Sequence, residues 1–327
     1  MRVFVTGGAG FIGRCVVARL RQRGDPVVLA VRDPAGHADA DGPNVRLVQS
    51  DLSEEAALAA QMSGCDALIH GAGRYRIGIR AAERRSMWEA NVGATRRVLD
   101  AAISVGIARI VHVSTVNAFG NTRGQVADET WHRDPARGFV SYYDETKWRA
   151  HLTAEDRIAR GAPVIIVMPG TVIGPGDHSG IGQQLKDAHD GTLRYRGVDD
   201  VGISPVHVDD VAKGILAALD EGRVGRSYVV AGRPVRLAEA MELAARLGGH
   251  ALPRLRVPTM LLRAAAPLAG RLPAAMTRRL GMPENLAEVL SATTGVTYWA
   301  SSARAERELG FGARDLETSL RDTFAAG

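Results

Sequence analysis

Short runs of apolar, often β-branched residues alternate with longer amphipathic stretches along most of the chain. The short runs predict strands at Arg2–Thr6, Val27–Val31, Val45–Gln49, Ala67–His70, Arg109–Ser114, Pro163–Met168 and Ser227–Val230. The longer stretches predict helices at Ile12–Arg23, Glu54–Met62, Ser86–Val105, Tyr142–Arg160, Asp209–Asp220 and Leu237–Leu247. Continuous apolar runs are typical of strands that are buried on both faces. Parallel neighbours need long crossovers, so the pattern predicts an α/β fold with a doubly wound parallel sheet.

The pattern changes after about residue 170. Closely spaced glycines at Gly174, Gly176, Gly180 and Gly182 are expected to break up regular structure there. The stretch Pro258–Leu280 is apolar and rich in arginine, and it favours a helix pair that covers a ligand cleft or packs on the main domain. An interfacial membrane helix is the alternative interpretation of that stretch.

Composition limits the class of protein. The chain has 327 residues, 46% of them hydrophobic, 24% charged, and only two cysteines, which excludes a disordered chain and a disulfide scaffold. The chain has no run of 18 apolar residues, so we expect no membrane-spanning helix. Met1 leads directly into a predicted strand, so we expect no secretory leader. We therefore expect a reduced, cytoplasmic protein with no membrane partner.

The net charge of +5 comes from scattered arginines with acidic residues between them. No basic run alternates with stacking aromatics, so we expect no nucleic-acid partner. Lysine is rare and occurs only at Lys147, Lys186 and Lys213. A position that keeps a lysine in such a sequence is a candidate for a required ammonium group. We assign no metal ligands.

A glycine-rich loop follows the first predicted strand. It has the spacing Gly7-x-x-Gly10-x-x-Gly13 and leads into a helix that begins near Phe11 and Ile12. Glycines let the backbone approach a pyrophosphate, and the helix N-terminus presents unpaired amides to it. Strand, loop and helix occur in the order that dinucleotide binding requires, so we expect Gly7, Gly10, Phe11, Ile12 and Gly13 to bind a dinucleotide.

Arg32 follows the second predicted strand, at the position where NAD-binding proteins place an acidic residue for the ribose. An arginine there can bind a 2′-phosphate, which favours NADP over NAD. Asp33 lies beside it and keeps NAD open as the alternative, because a carboxylate can accept from ribose hydroxyls.

A Tyr-x-x-x-Lys motif at Tyr143 and Lys147 opens the helix predicted over Tyr142–Arg160. Four-residue spacing places the phenol and the ammonium on one helical face. A tyrosine ordinarily titrates near pH 10, and a neighbouring ammonium is expected to lower that pKa toward the range useful for proton transfer.

The glycine spacing together with the Tyr143–Lys147 motif resembles the extended branch of the short-chain dehydrogenase/reductase superfamily, the NAD-dependent epimerase/dehydratase family. Val31–Pro34 and Pro169–Val172 look most like dihydroflavonol reductase-type carbonyl reductases. The resemblance implies that Thr115, in the segment Ser114-Thr-Val-Asn-Ala-Phe-Gly120, hydrogen-bonds the substrate oxygen. Ser114 is expected to support the backbone or the cofactor. The alternative is that the two hydroxyls exchange these roles.

The same resemblance implies further cofactor contacts. The adenine ring is held by Asp51 and Leu52, the small-residue stretch Gly71, Ala72 and Gly73 passes under the cofactor, and Pro169 and Val172 seat the nicotinamide. His70–Gly73 has more glycine than is usual in the family, so contacts there are expected to differ. His207 and Asp209 are interpreted as structural.

The expected domain organisation follows from these assignments. Residues 1–175 form a Rossmann-type dinucleotide-binding domain to which 201–232 return, while 176–200 and 233–327 form a smaller, mostly helical substrate-binding part. The helices Ser86–Val105 and Tyr142–Arg160 resemble those of a family homodimer interface. Arg74–Arg80 are expected to help line the substrate pocket, whose mostly apolar neighbours favour a small apolar or aromatic carbonyl or alcohol substrate.

Three functions are weighed. The favoured one is NADP-dependent reduction of a ketone or aldehyde with Tyr143 as proton donor. The main rival is a nucleotide-sugar epimerase or dehydratase with tightly bound NAD. Such enzymes usually carry an asparagine where this chain has Gly170 or Thr171, and an arginine where it has Ile203–Pro205. Arg194 or Arg196 remain as substitutes for those diphosphate ligands. The third is a non-catalytic NADP-binding sensor, although relatives of that kind lack the tyrosine or the lysine.

Overall fold

The strands of the computed structural model begin and end close to the apolar runs of the sequence. The structure describes residues 1–40, 42–197, 199–258, 260–261, 264 and 285–325. Within them the strands are β1 Val3–Thr6, β2 Val27–Val31, β3 Val45–Gln49, β4 Ala67–His70, β5 Arg109–Val113, β6 Val164–Pro169, β7 Thr171–Ile173, β8 Gly202–Ile203, β9 Pro205–His207, β10 Ser227–Val230 and β11 Val235–Arg236.

Seven of these described strands form one parallel sheet in the order β10-β6-β5-β4-β1-β2-β3. The order reverses between β1 and β4, where the chain turns from one half of the sheet to the other. In open α/β sheets, ligands bind at the carboxyl ends of the strands at such a switch point. The expected doubly wound α/β fold is confirmed.

Helices cover both faces of the sheet. In the described residues they are α1 Phe11–Gln22, α2 Glu55–Met62, α3 Ala81–Trp88, α4 Ala94–Ser104, α5 Tyr142–Ala159, α6 Gly180–His189, α7 Val208–Glu221, α8 Leu237–Leu247, α9 Leu286–Thr293, α10 Ala303–Leu309 and α11 Leu316–Ala325. One apolar core lies between one face of the sheet and the helices α1, α7 and α10. A second lies between the opposite face and α2, α4 and α5, so the sheet is buried on both faces as its sequence predicts.

The helix predicted over Ser86–Val105 differs from the one observed. Helix α3 begins five residues earlier, at Ala81, and a π-helical turn over Glu89–Gly93 joins it to α4. Inside that turn the carbonyl of Asn91 accepts from the Thr95 hydroxyl at 2.6 Å, and its side chain bonds to the backbone of Arg74. These tertiary contacts hold a wider turn that hydrophobic periodicity does not encode.

The glycine-rich stretch after Gly174 is also more regular than predicted. Ser179 accepts from the amide of Gly182 at 3.0 Å and caps α6, whose Leu185 and Ala188 are buried. Short strands that the sequence did not predict pair nearby, β7 with β9 and β8 with β11. The glycines therefore begin a helix instead of preventing one.

A third apolar core joins α6, α8 and α11 beyond the main sheet. The predicted division into a Rossmann-type domain and a smaller substrate-binding part stays a prediction. Most of the stretch Pro258–Leu280 lies outside the described residues. No helix in the described part of the chain is both long and apolar enough to cross a bilayer.

Candidate active site

The glycine loop meets the segment after β4 at the switch point of the sheet. Gly7 has a φ of +74°, and a Cβ added there would lie 2.5 Å from the amide nitrogen of Ala72. The amides of Gly71 and Ala72 in turn donate to the carbonyl and hydroxyl of Thr6, at 3.0 and 3.4 Å. Only a residue without a side chain fits at position 7, so the small residues on both loops are explained by their close approach.

The N-terminus of α1 opens from this loop. Gly10 is its N-cap and supplies no side-chain hydrogen bond, so the first helical amides, from Phe11, Ile12 and Gly13, keep the donor capacity of a helix start. A Cβ on Gly13 would lie 2.1 Å from the carbonyl oxygen of Gly7, so the loop and the first turn of α1 are too close together for a side chain at position 13. A backbone cradle with free amides and a positive dipole end fits a pyrophosphate.

The residues predicted to hold the adenosine half follow β2 and β3. Arg32 is exposed, and within the described residues its guanidinium has no hydrogen-bond or ion-pair partner. Asp33 accepts from the amide of Ala35 at 3.1 Å, which commits that oxygen to a local turn. Asp51 accepts from the amide and hydroxyl of Ser53, and these hydrogen bonds lower the pKa of its carboxyl.

Leu52 has a φ of +63°, and its carbonyl accepts from Arg97 at 2.8 Å. This bond ties the end of β3 to α4 and fixes the backbone next to Asp51. The exposed surface of Asp51 and the loop at Arg32 thus lie at the carboxyl edge of the sheet, on the β2–β3 side of the switch point.

Tyr143 and Lys147 lie in the first turns of α5. Ser141 caps this helix by accepting from the amide of Asp144 at 3.1 Å. Tyr143 and Lys147 are each 8% exposed. The Lys147 ammonium donates to the carbonyl oxygen of Val113, at the end of β5, over 3.3 Å, and burial lowers the pKa of Lys147 to about 8.

The pKa of Tyr143 differs from the expectation. It is raised, not lowered, chiefly because burial disfavours the phenolate. Tyr75 and Asp144 raise it further, and the nearby Thr115 hydroxyl lowers it. In this structure burial outweighs any effect of Lys147, so Tyr143 is held as a neutral phenol. That is the form that can donate a proton.

The two hydroxyls after β5 point in different directions. Thr115 caps a short 3-10 turn, where its hydroxyl accepts from the amide of Asn117 at 3.2 Å and donates to Asn117 Oδ1 at 3.1 Å. The same hydroxyl lowers the pKa of Tyr143. Ser114 lies 3.0 Å from Nδ1 of His151 and is 5% exposed. The structure therefore brings Thr115, and not Ser114, to the phenol.

The remaining predicted residues line the end of the neighbouring strands. Pro169 ends β6 beside Val230, and Val172 lies in β7, half-buried against the first core. Gly73 lies next to Asn91, whose Oδ1 would be 3.3 Å from a Cβ on that glycine. His207 accepts from the Asp209 amide at 3.2 Å and caps α7.

Apolar side chains surround the phenol. Ile77, Ile79, Met87 and Tyr142 form a small cluster with Tyr143. Two arginines of this region share one carboxylate: Glu83 accepts from Arg74 at 3.1 Å and from Arg76 at 3.0 Å. One carboxylate offsets only one of these two positive charges. Among the described residues, no group of three or more potential metal ligands occurs.

One buried residue near the site escaped the sequence interpretation. Asn91 is 2% exposed, accepts from the amide of Arg74 at 2.6 Å and donates to the Thr146 hydroxyl at 2.9 Å. It ties the loop after β4 to α5, one residue before Lys147. In the sequence, an asparagine within the predicted helix Ser86–Val105 was the feature that could have identified it.

Comparison with known proteins identifies the family. The model of the NAD dependent epimerase/dehydratase family matches residues 3–231. The chain belongs to this family and is an NAD(P)-dependent oxidoreductase of the extended short-chain dehydrogenase/reductase type.

Individual relatives cover almost the whole chain. It is 29% identical over 329 residues to sterol demethylase protein B of Methylococcus capsulatus, covering 99% of this chain and 96% of the relative. It is 31% identical to the 4-hydroxy-2-methyl-3-oxo-4-farnesyl-3,4-dihydroquinoline-1-oxide ketoreductase of Stigmatella aurantiaca, covering 96% and 92%. The crystal structure of gox2253 superposes with a TM-score of 0.84 at 29% identity, covering 99% and 97%.

Proposed function

We propose that this protein reduces the carbonyl of a small apolar or aromatic ketone or aldehyde with NADPH. The observation that carries the proposal is the burial of the Tyr143 phenol among apolar side chains, in the first turn of the helix that also holds Lys147. A protonated donor beside a second hydroxyl suits an oxygen that gains negative charge during reduction. A relative named as a ketoreductase also supports this direction of chemistry.

A bound nicotinamide cofactor would supply the hydride for the carbonyl carbon. Thr115 and Tyr143 would orient the carbonyl oxygen, and the Tyr143 O–H would break as the O–H of the product alcohol forms. Lys147, pinned to the Val113 carbonyl at 3.3 Å, would hold the ribose and present its charge below the phenol. Ile79 and Met87, both fully buried, would keep water away from the reacting oxygen.

We propose NADP as the preferred cofactor. The exposed Arg32 side chain follows β2 and has no partner among the residues that the structure describes, while the neighbouring Asp33 is engaged in a turn. A free guanidinium can bind a 2′-phosphate bidentately. The pyrophosphate would lie on the amides of Phe11, Ile12 and Gly13, and the adenine beside Asp51 and Leu52. The stretch Gly71, Ala72 and Gly73 would pass beneath it.

The nicotinamide end of the proposed cofactor site involves Ser114, Pro169 and Val172. Ser114 would act here through the backbone, because its hydroxyl is engaged with His151. Pro169 ends β6, which pairs with β5, and Val172 lies in β7, which follows β6 directly in the chain. This placement supports a nicotinamide pocket at the carboxyl ends of β5 and β6.

Epimerase or dehydratase chemistry on a nucleotide sugar is the second candidate, because the family includes such enzymes. Several contacts weigh against it. Ile203 and Ser204 are fully buried, and the Ser204 hydroxyl accepts from the amide of Ala300 at 3.0 Å, so neither faces a ligand. Arg196 is paired with Asp199 and Glu242 at 3.0 and 3.4 Å. Arg194 is the candidate diphosphate ligand that remains exposed.

A cofactor-consumption assay tests the proposal. The purified protein is mixed with NADPH, or separately NADH, and a panel of aromatic aldehydes, aliphatic ketones and cyclic ketones, and cofactor absorbance is followed. Net consumption of NADPH matched by alcohol formation is expected. Turnover of a UDP- or dTDP-sugar without net cofactor consumption would overturn the proposal in favour of the epimerase or dehydratase function. Cofactor binding without turnover of any compound would favour the sensor.

The protein is further proposed to be a homodimer in which α4 and α5 pack against their counterparts. The Arg157 side chain on α5 already joins Asp100 on α4 at 2.6 Å, so the two helices present one continuous surface. Sedimentation equilibrium should give twice the mass of the chain. A monomer at micromolar concentration would contradict the proposal.

A further inference from the structure

Helix α9 meets the candidate active site at the N-terminus of α5. Glu288, in the first turn of α9, accepts through Oε1 from the backbone amide of Tyr142 at 2.6 Å. Tyr142 is the first residue of α5, and Tyr143 follows it directly. A carboxylate from a late part of the chain is therefore bound one residue away from the proposed proton donor.

Helix α5 does not need this contact in order to begin. Ser141 already caps it by accepting from the amide of Asp144 at 3.1 Å. The amide of Tyr142 has no acceptor within its own helix, as is general for the first residues of a helix. Glu288 supplies that acceptor and places a negative charge at the positive end of the helix dipole. The contact therefore fixes the backbone that carries Tyr143.

The Glu288 carboxylate is itself held in one orientation. Asn285 caps α9 by accepting from the Glu288 amide at 3.2 Å through Oδ1. Its Nδ2 donates to Oε2 of Glu288 at 3.1 Å. One carboxylate oxygen is thus bound to Asn285 and the other to the amide of Tyr142. A carboxylate bound at both oxygens cannot rotate away from α5 without losing a hydrogen bond.

Asn285 also holds the opposite wall of the phenol pocket. Its amide donates to the carbonyl of Gly78 at 3.2 Å, and its Nδ2 donates to the carbonyl of Ile79 at 3.4 Å. Gly78 has a φ of +80°, a backbone conformation that favours glycine. Ile77 and Ile79, on either side of it, pack in one cluster with Tyr143. The start of α9 therefore joins the loop after β4 to the helix of the phenol.

Other charged groups near this junction act on the Tyr142 side chain and not on its backbone. The Arg84 guanidinium lies over the Tyr142 ring, 5.1 Å from its centroid. The carboxylate of Glu145 raises the pKa of the Tyr142 phenol. Glu288 differs from both because it contacts the amide, which every residue type except proline retains.

From this arrangement we propose that Glu288 is a positioning residue that sets the place of the Tyr143 phenol relative to the carbonyl substrate. The proposal rests on the proposed carbonyl reduction. Glu288 would transfer no proton and would act only through the backbone of α5, while Asn285 holds the facing loop. Proton donation needs the phenol within hydrogen-bond reach of the substrate oxygen. A displacement of about 1 Å can lower the rate of such a step about 100-fold.

Single-turnover hydride transfer tests the proposal in a double-mutant cycle. The probe is NADPH with the aromatic aldehyde that the wild type reduces fastest. The variants are Glu288→Ala, Tyr143→Phe and the two combined, each checked for folding by circular dichroism. Glu288→Gln is the conservative variant, because its amide oxygen can still accept from Tyr142. Glu306→Ala is the matched control, because Glu306 is an exposed glutamate in the first turn of α10.

Against the wild type, Glu288→Ala should slow hydride transfer about tenfold or more, because the phenol loses its fixed position. The Kd for NADPH should stay within about twofold. Glu288→Gln and Glu306→Ala should match the wild type. In the Tyr143→Phe protein, adding Glu288→Ala should change the rate by less than about twofold, because no proton donor remains to be positioned.

An unchanged rate in Glu288→Ala would overturn the inference. A loss of equal size with and without the Tyr143 hydroxyl would also overturn it and would give Glu288 a merely structural role. If Glu288→Ala does not fold, Glu288→Asp decides by the same two criteria, because its carboxylate is one methylene shorter.

Failure of the proposed function has a different signature. A wild type that transfers no hydride to any aldehyde would refute the proposed reduction, and this inference would fall with it. A wild type that reduces the aldehyde while the Glu288 variants keep its rate would refute this inference alone. The wild-type trace therefore separates the two failures.

Discussion

The ring of Tyr75 meets the ring of Tyr143 edge-on, with centroids 4.8 Å apart and planes at 89°. Tyr75 itself is 52% exposed, although it touches a phenol that is almost completely buried. An edge contact of this kind is favourable for aromatic pairs, and here it places an exposed aromatic ring beside the proposed proton donor. Tyr75 is therefore positioned to contact a substrate that approaches Tyr143.

Replacing Tyr75 tests that position. Tyr75→Ala should raise KM for an aromatic aldehyde about tenfold, because one aromatic face is lost, with little change in NADPH affinity. Tyr75→Phe keeps the ring and should behave like the wild type. Steady-state kinetics on both variants provide the check, and an unaltered KM in Tyr75→Ala would place the substrate elsewhere.

Arg32 is expected to select the cofactor. Arg32→Ala should weaken NADPH binding about tenfold or more while NADH binding changes little, because the charge-assisted contact with the 2′-phosphate is lost. Fluorescence titration with both cofactors measures this. Arg46→Ala, an exposed arginine on β3, is the control and should alter neither affinity. Equal losses for NADPH and NADH in Arg32→Ala would contradict the NADP preference.

His70 should make stability depend on pH. It is fully buried, with Nδ1 2.7 Å from the Thr6 hydroxyl and Nε2 3.0 Å from the Thr95 hydroxyl. Burial lowers the pKa of its imidazole to about 3. The unfolded chain binds a proton there below an ordinary pKa of 6.5, while the folded chain does not. The stability due to His70 is therefore fully present above pH 6.5 and is lost as pH falls toward 3.

Urea unfolding at pH 7 and pH 5 measures this contribution. For His70 the unfolding free energy should fall by about 2 kcal/mol between these values, at about 1.4 kcal/mol per pH unit. His70→Gln should show a correspondingly smaller fall, whereas replacing the exposed His178 by glutamine should leave the fall unchanged. An equal fall in all three proteins would rule out His70 as its source.

The sheet could be predicted because each strand has a continuous apolar run. β2, β3, β4 and β10 have the residue limits that the pattern predicts, and all seven strands of the main sheet were found. The short strands β7, β8, β9 and β11 were missed, because two or three residues give no periodicity. Helix α6 was missed because a capping serine and buried contacts outweigh two glycines near its start.

The parts of the candidate site that lie close together in the sequence could be predicted. The glycine loop, Tyr143 and Lys147 follow from local motifs. The sign of the Tyr143 pKa shift did not follow, because it depends on burial by Ile79, Met87 and Tyr75, which come from a different part of the chain. The roles of Asn91 and Glu288 likewise depend on tertiary hydrogen bonds that one sequence does not reveal.

Single-turnover hydride transfer in Tyr143→Phe tests the central claim most directly. Phenylalanine keeps the ring and its apolar contacts but removes the proton donor. The rate of aldehyde reduction by bound NADPH should fall by about two to four orders of magnitude, while the Kd for NADPH stays within about twofold. Tyr142→Phe, the neighbouring tyrosine without the spacing to Lys147, should match the wild type. A Tyr143→Phe protein that reduces the aldehyde at the wild-type rate would contradict the assignment of Tyr143 as proton donor.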